Sequence, residues 1–360
     1  MLDCTPNISY TQYMLTLTKA SEETKLVMRW GIISVIALII LFIIYGMLVS
    51  VKNTLFPLPP PKATVSYGPL PPIVFPQGIT NAYTYTLNTV SGAFPVFDLN
   101  ENVYPMVYNP PDLLALQNAG KKAQALGFTQ GPYEINNQLY EWYANDAAQR
   151  HIIINIVNYG FTITANLTAD PNIMSANKLP DEAGAVDFVK NYLQNINSYY
   201  PDIDESKTKT TLYSLRNNTF YPATSLSDAQ IIRVDFFQKN VNNLPIYYEK
   251  PGSSIMNFLV SGGSYLPQLV GGSFVYQTPT SDFSTYPLKT AQEAFNELKV
   301  GKAYIASYYG ASTNITINNI FLAYYIGSST QKYLMPIIVF QGNNGFYAYV
   351  SAITDEWISK

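Results

Sequence analysis

The sequence predicts an α+β protein: an N-terminal transmembrane helix, then antiparallel sheets with a few packed helices. Three observations carry that class. Trp30–Val51 is an apolar run without a charged residue. Beyond residue 81, short runs rich in Tyr, Thr, Ile and Val alternate at the two-residue period of strands, and a few other segments repeat apolar residues at the period of helices. The 30 tyrosines and 18 phenylalanines favour strands whose rings pair across neighbours.

At ~1.5 Å per residue the run from Trp30 to Val51 makes a helix of roughly 33 Å, enough for a ~30 Å hydrocarbon core. A buried helix of a soluble domain normally keeps a polar stripe. A cleaved signal peptide has a shorter apolar core ending in small residues, whereas this run ends in Ser50-Val51-Lys52-Asn53. Lys19, Lys25 and Arg29 before the span, against Lys52 and Lys62 after it, favour a cytoplasmic N-terminus by a small margin. The only cysteine, Cys4, precedes the span, so everything beyond it is thiol-free, which suits a domain outside the reducing cytosol. The expected orientation is N-terminus in, C-terminus out.

The expected organisation is a cytoplasmic tail at 1–29, the membrane helix at 30–51, a proline-rich stalk at 52–80 and an extracytoplasmic α+β region at 81–360, divisible into 81–200 and 201–360. In the tail, Ser21 followed by Glu22 and Glu23 suits a helix start, so the membrane helix is expected to begin inside the cytosol. The stalk carries Pro-Leu-Pro-Pro twice, at Pro57–Pro60 and Pro69–Pro72. In polyproline II geometry it reaches roughly 75 Å, and its last part, Gly68–Pro76, mixes apolar anchors with prolines in a way that suits a domain edge.

Helices are expected at Pro110–Gly127, Asp181–Tyr199 and Thr290–Leu298, and a short one at Leu226–Gln230, from apolar spacing on one face. Strands are expected at Tyr83–Leu87, Gln138–Tyr143, His151–Val157, Phe161–Leu167, Thr210–Leu215, Ile231–Phe237, Ile255–Val260, Ala303–Tyr308 and Ile315–Tyr325. Tyr333–Gln341 and Phe346–Ile353 read as a hairpin through Gly342-Asn343-Asn344-Gly345. The first and last of these groups share an order, helix and then antiparallel strands, which predicts a duplicated architecture.

Composition bounds the function. With 48% hydrophobic and 12% charged residues and a net charge of −3, the chain is long enough for a real core and is not a disordered tail. No Lys/Arg cluster marks a nucleic-acid surface. His151, the only histidine, opens an apolar strand and has no nucleophile-elbow motif to serve, and one histidine without nearby cysteines cannot build a usual zinc site. Ser175-x-x-Lys178 and Ser206-x-x-Lys209 match the spacing of penicillin-binding-type acyltransferases, but both lie in polar loops without a Lys-Thr-Gly partner. Asp98-Leu-Asn100-Glu101-Asn102 and Asp202-Ile-Asp204-Glu205 offer alternating oxygens without the glycine and distal glutamate of a calcium loop. Asn166-Leu-Thr168 and Asn314-Ile-Thr316 are glycosylation sequons. No residue is therefore assigned a catalytic, cofactor-binding or metal-binding role, and no cofactor is expected. The tyrosine-rich strands read as sheet packing or as a sugar- or peptide-binding face.

Ala291–Leu298, Ile317–Tyr325, Tyr333–Phe340 and Phe346–Ile353, taken in order, resemble the YycH/YycI and PepSY group of domains. The layout of anchor, proline stalk and Gly68–Pro76 resembles single-pass proteins of candidate-phylum bacteria. YycH/YycI proteins are anchored in the same way and regulate a membrane sensor kinase, and PepSY domains are associated with inhibiting or chaperoning proteases. The resemblance implies an extracytoplasmic regulator or sensor, and with no catalytic constellation in the sequence the expectation is an interaction module contacting another envelope protein, not an enzyme. Two other readings stand beside it: a structural surface protein self-associating through exposed β-edges, and an envelope glycan hydrolase with two carboxylates in one deep cleft.

Overall fold

The computed structural model describes residues 17–55, 62–79, 82–110, 112–217 and 219–359. Cys4 and the start of the tail lie outside the described residues. The chain forms two compact units, Met1–Pro61 and Lys62–Lys360. In the first, α1 runs Leu17–Leu55 and is long and apolar enough, over Thr24–Lys52, to cross a membrane. Large apolar side chains from Leu26 to Val51 are exposed along it. It starts four residues before Ser21, so that residue lies inside the helix and not at its start.

The second unit is α+β. Its elements are β1 Thr84–Leu87, β2 Asn100–Pro105, α2 Ala115–Ala125, β3 Gln130–Glu134, β4 Leu139–Tyr143, β5 His151–Asn155, β6 Phe161–Thr164, α3 Pro171–Met174 and α4 Glu182–Asn195. They continue with β7 Lys209–Arg216, β8 Thr219–Pro222, β9 Ile231–Phe236, β10 Ile246–Tyr247, β11 Met256–Ser261, β12 Gln268–Phe274, β13 Ser284–Pro287, α5 Ala291–Lys299, β14 Tyr304–Ser307, β15 Asn314–Tyr325, β16 Tyr333–Gly342 and β17 Tyr347–Ser351.

These strands form two sheets, one nested inside the sequence of the other. The nine-stranded sheet, ordered β3-β4-β5-β6-β12-β11-β9-β7-β8, is antiparallel throughout. The eight-stranded sheet has the path β1-β15-β16-β17-β14, with β2, β10 and β13 attached. Its β2 and β13 pair Val103 with Ser284, closing over everything in between. The sheets do not follow a division at residue 200, because β6 pairs with β12 and joins strands from both sides of it.

Alternation decides which face is buried. In the nine-stranded sheet Trp142, Ile152, Ile154, Phe161, Ile163, Ile232, Val234 and Phe258 point to one face, under α2 (Ala119, Ala123) and α4 (Ala185, Val189, Leu193). The opposite face carries Glu141, His151, Thr162 and Arg233, and a smaller apolar cluster around Ile231 and Val270. In the other sheet β16 is buried over Tyr333–Phe340, because both its faces are covered. Phe295 of α5 meets Phe340 on one, and Phe75 and Tyr247 meet Tyr349 on the other.

The order of a helix followed by antiparallel strands occurs three times rather than twice. α2, α4 and α5 each precede antiparallel strands and end alike: Phe128 N–H donates to Ala123 O (2.9 Å), Ser198 N–H to Leu193 O (2.8 Å) and Lys302 N–H to Glu297 O (3.0 Å). The residue before each donor, Gly127, Asn197 and Gly301, has positive φ, the geometry of a Schellman cap. At its other end α5 has a capping box between Thr290 and Glu293.

The 52–80 segment is not one stalk. Residues 52–55 continue α1, 56–61 lie outside the described residues, and from Lys62 the chain belongs to the body. Leu70 is fully buried, its N–H donates to Trp357 O and its carbonyl accepts from Ser359 N–H, each at 2.7 Å. Tyr67 stacks on Tyr333 with ring centroids 5.3 Å apart. Proline cannot donate to a ladder, so the prolines flanking Leu70 leave it as the pairing residue of an edge segment.

Candidate functional site

The motifs singled out in the sequence do not converge. His151 sits on the polar face of the nine-stranded sheet, its Nε2 3.7 Å from Glu141 Oε1 and its ring beside Tyr143. Ser175 Oγ donates to Pro171 O at the end of α3. Ser206 Oγ donates to Asp204 Oδ1, while Lys209 Nζ donates to Gly252 O, so that motif forms no Ser–Lys pair. Glu101 accepts from Asn242 and Tyr324, which occupies the first acidic loop in fastening β2 to its neighbours. Among the described residues no group of three His, Cys, Asp or Glu could hold a metal ion.

The second acidic loop lines a shallow hollow in which Asp204 and Glu205 are the two carboxylates. Hydrogen bonding from Ser206 lowers the Asp204 pKa, and the ammonium of Lys190, with the Tyr199 hydroxyl, lowers that of Glu205. A glycosidase acid needs its pKa raised, and neither group has that environment.

What the fold does bring together is a cleft of about 490 Å³ at the meeting of the two sheets. Its walls come from distant segments: Val107, Tyr108 and Asn109 after β2, Gln138 before β4, Asn155 and Asn158 at the β5–β6 turn, Tyr200 after α4, Tyr276 and Thr278 after β12, and Thr330 between β15 and β16. None of the lining side chains is charged. Four exposed or half-buried carboxamides, of Asn109, Gln138, Asn155 and Asn158, and three phenol rings line it.

The floor is held by a buried amide relay. Tyr200 and Tyr276 stack with centroids 3.7 Å apart and planes 8° from parallel. The Tyr276 hydroxyl donates to Asp202 Oδ1 (2.7 Å), and Gln238 Nε2 donates to Asp202 Oδ2 (2.9 Å) and to Gln277 O (3.0 Å). The Gln277 amide donates to Gly327 O and Ser329 O, both at 3.0 Å, and its oxygen accepts from Gln331 N–H. The relay thus ties the loops of one sheet to the β15–β16 turn of the other. Burial, followed by the hydrogen bond to Asp202, pushes the Tyr276 pKa far above its ordinary value, so this phenol remains a neutral donor.

A larger hollow, about 610 Å³, lies between Phe75–Ile79, Tyr83 and the end of α5. It adjoins residues 80–81, which lie outside the described residues.

No protein family and no curated protein matches the chain. Among solved structures, an uncharacterized protein from Eubacterium rectale is similar over 78% of this chain and 92% of its own, at 13% identity and a TM-score of 0.39. The Bacillus megaterium YpeB C-terminal domain is similar over 69% of this chain and 95% of its own, at 11% identity and a TM-score of 0.29. At these scores the likeness transfers no residue role to this chain.

Sequence reasoning missed the cleft. Its side chains are Asn, Gln, Tyr and Thr from segments as far apart as Val107 and Thr330, with no local spacing to mark them. The one available signal was the abundance of tyrosine beside uncharged polar residues.

Proposed function

We propose that the chain is a single-pass membrane protein whose α+β body lies outside the cytoplasm and works as an interaction module that modulates another envelope protein. The observation that carries this reading is α1: a helix whose apolar stretch, Thr24–Lys52, is exposed throughout, in a chain whose other unit has its own core. Exposed apolar surface on that scale is unfavourable in water and favourable in lipid. Placing the only cysteine before the helix agrees with a body on the oxidising side. The resemblance of residues 291–353 to YycH/YycI and PepSY domains makes a sensor kinase or a protease the partner to look for.

The test is crosslinking in the membrane with mass spectrometry, comparing the native chain with one whose residues 30–51 are replaced by an unrelated apolar span. A kinase or protease captured by the native chain and lost with the replaced span supports regulation through the helix. Crosslinks to other copies alone contradict it and favour the structural reading. That second reading has its own observation: β3 and β8, the two edges of the nine-stranded sheet, are exposed at every described residue, and open edges invite pairing between copies.

A further inference from the structure

We infer that the cleft between the two sheets binds an uncharged oligosaccharide. Its volume, about 490 Å³, falls in the range of small-ligand sites, about 300–1,000 Å³. Its chemistry narrows the ligand. A charged ligand would be partly desolvated against walls that offer no counter-ion, which is unfavourable. A ligand dense in hydroxyls has the complementary pattern, because a carboxamide both donates and accepts, as a sugar hydroxyl does.

Asn158 is used by Gly160 N–H and Thr330, and Tyr276 and Gln277 by the relay, but three other carboxamides keep free polar atoms. Among the described residues, the side-chain amides of Asn109 and Gln138 make no hydrogen bond, and Asn155 accepts one from Val157 N–H through Oδ1 while its Nδ2 donates to none. Tyr108 is 70% exposed and, among the described residues, has no ring partner, so its ring offers open surface to a pyranose. A phenol ring gives large contact area for little lost conformational freedom.

A peptide fits less well. Recognition of an extended peptide uses the unpaired backbone of a strand edge. Here two of the backbone segments around the cleft are already paired, Val107 N–H to Thr278 O and Ile156 N–H to Gln138 O, both at 2.9 Å. Side chains are what the cleft has left to offer.

This inference rests on the interaction reading only in requiring that the body meet external ligands, and it is tested without any protein partner. The full-length protein in detergent is titrated calorimetrically with cellotetraose, chitotetraose, tetragalacturonate and an uncharged tetrapeptide. Saturable binding of a neutral tetrasaccharide is expected, weakened by about tenfold or more in the double variant Tyr108→Ala, Gln138→Ala and unchanged in Tyr221→Ala, far from the cleft. Tyr108 and Gln138 are exposed, and an unaltered thermal transition confirms that the double variant is folded. Overturning results are no saturable binding of either neutral saccharide, equal binding by the folded double variant, or tighter binding of the uronate or the peptide. Each leaves the crosslinking test of the regulator untouched, and a lost crosslink leaves saccharide binding untouched.

Discussion

The Tyr276 hydroxyl donates to Asp202 at 2.7 Å, and through that carboxylate the ring that walls the cleft is fastened to the loop after α4. Asp202 also accepts from Gln238, which is buried, so the carboxylate is the acceptor for donors from two separate segments. Asp202→Ala leaves the Tyr276 hydroxyl without its acceptor and removes one of two for Gln238 Nε2, a loss of about 1–3 kcal/mol in denaturant unfolding. Asp202→Asn retains an acceptor and is expected to cost less. Equal stability of Asp202→Ala and the native chain would remove the relay from the account.

Phe75 distinguishes a segment packed on the body from a free stalk. Its ring stacks on Tyr304 at 5.2 Å and meets Tyr325 edge-on at 4.8 Å. Because Phe75 is half-buried, Phe75→Ala is expected to cost about 2 kcal/mol, below the range for a fully buried ring. A change within error, measured by urea unfolding, would mean that the segment is not held.

The C-terminal turn is clamped by a buried lysine. Lys289 Nζ lies 2.7 Å from Glu297 Oε1 and 2.6 Å from Asp355 Oδ1. The hydrogen bond from Lys289 lowers the Asp355 pKa. A lowered folded-state pKa contributes stability that is present above the unfolded value, about 3.9, and is lost as pH falls toward the folded value. Asp355→Asn is therefore expected to flatten the acid limb of the stability profile while changing the response above pH ~6 little. An unchanged acid limb contradicts the clamp.

Tyrosines govern the alkaline limb. Burial, with Tyr347 nearby, pushes Tyr247 up to about 12, and burial, with Tyr83 nearby, does the same to Tyr85. A raised folded-state pKa means that the contribution is complete below the unfolded value, about 10, and disappears as pH rises through about 12. Phenolate absorbance should show a group of tyrosines titrating only with unfolding. Complete titration near pH 10 with the fold intact would contradict the burial of these rings.

Much of the fold was legible where burial is one-sided. Asp181 caps α4 through Gly184 N–H, and Ala185, Val189 and Leu193 repeat toward the core, so both the start and the face could be read from the sequence. In β9, Ile232, Val234 and Phe236 likewise alternate with Arg233 and Asp235 along the strand. β3 was not legible, because every residue of it is exposed and no apolar alternation marks it. β12 was hidden by its glycines: a Cβ on Gly272, at φ +128°, would stand 2.3 Å from Asn257 O, so close strand approach excludes the side chains that would have announced a strand. The nesting of the sheets depends on β2 meeting β13, a pairing between distant segments that no local pattern encodes. The cleft was invisible for the same reason. Its loops are adjacent only after both sheets have closed.

Thiol labelling of intact cells tests the anchored topology most directly. Cys4 is the only cysteine, and Gln292, exposed on α5, can carry a reporter in a Cys4→Ser background as Gln292→Cys. With a membrane-impermeant maleimide, the reporter at position 292 should be labelled in intact cells and remain with the membrane, and Cys4 should be labelled only after permeabilisation. Labelling of Cys4 in intact cells with position 292 protected would reverse the orientation, and release of a chain lacking residues 1–51 would make α1 a signal sequence; either result contradicts a membrane-anchored extracytoplasmic module.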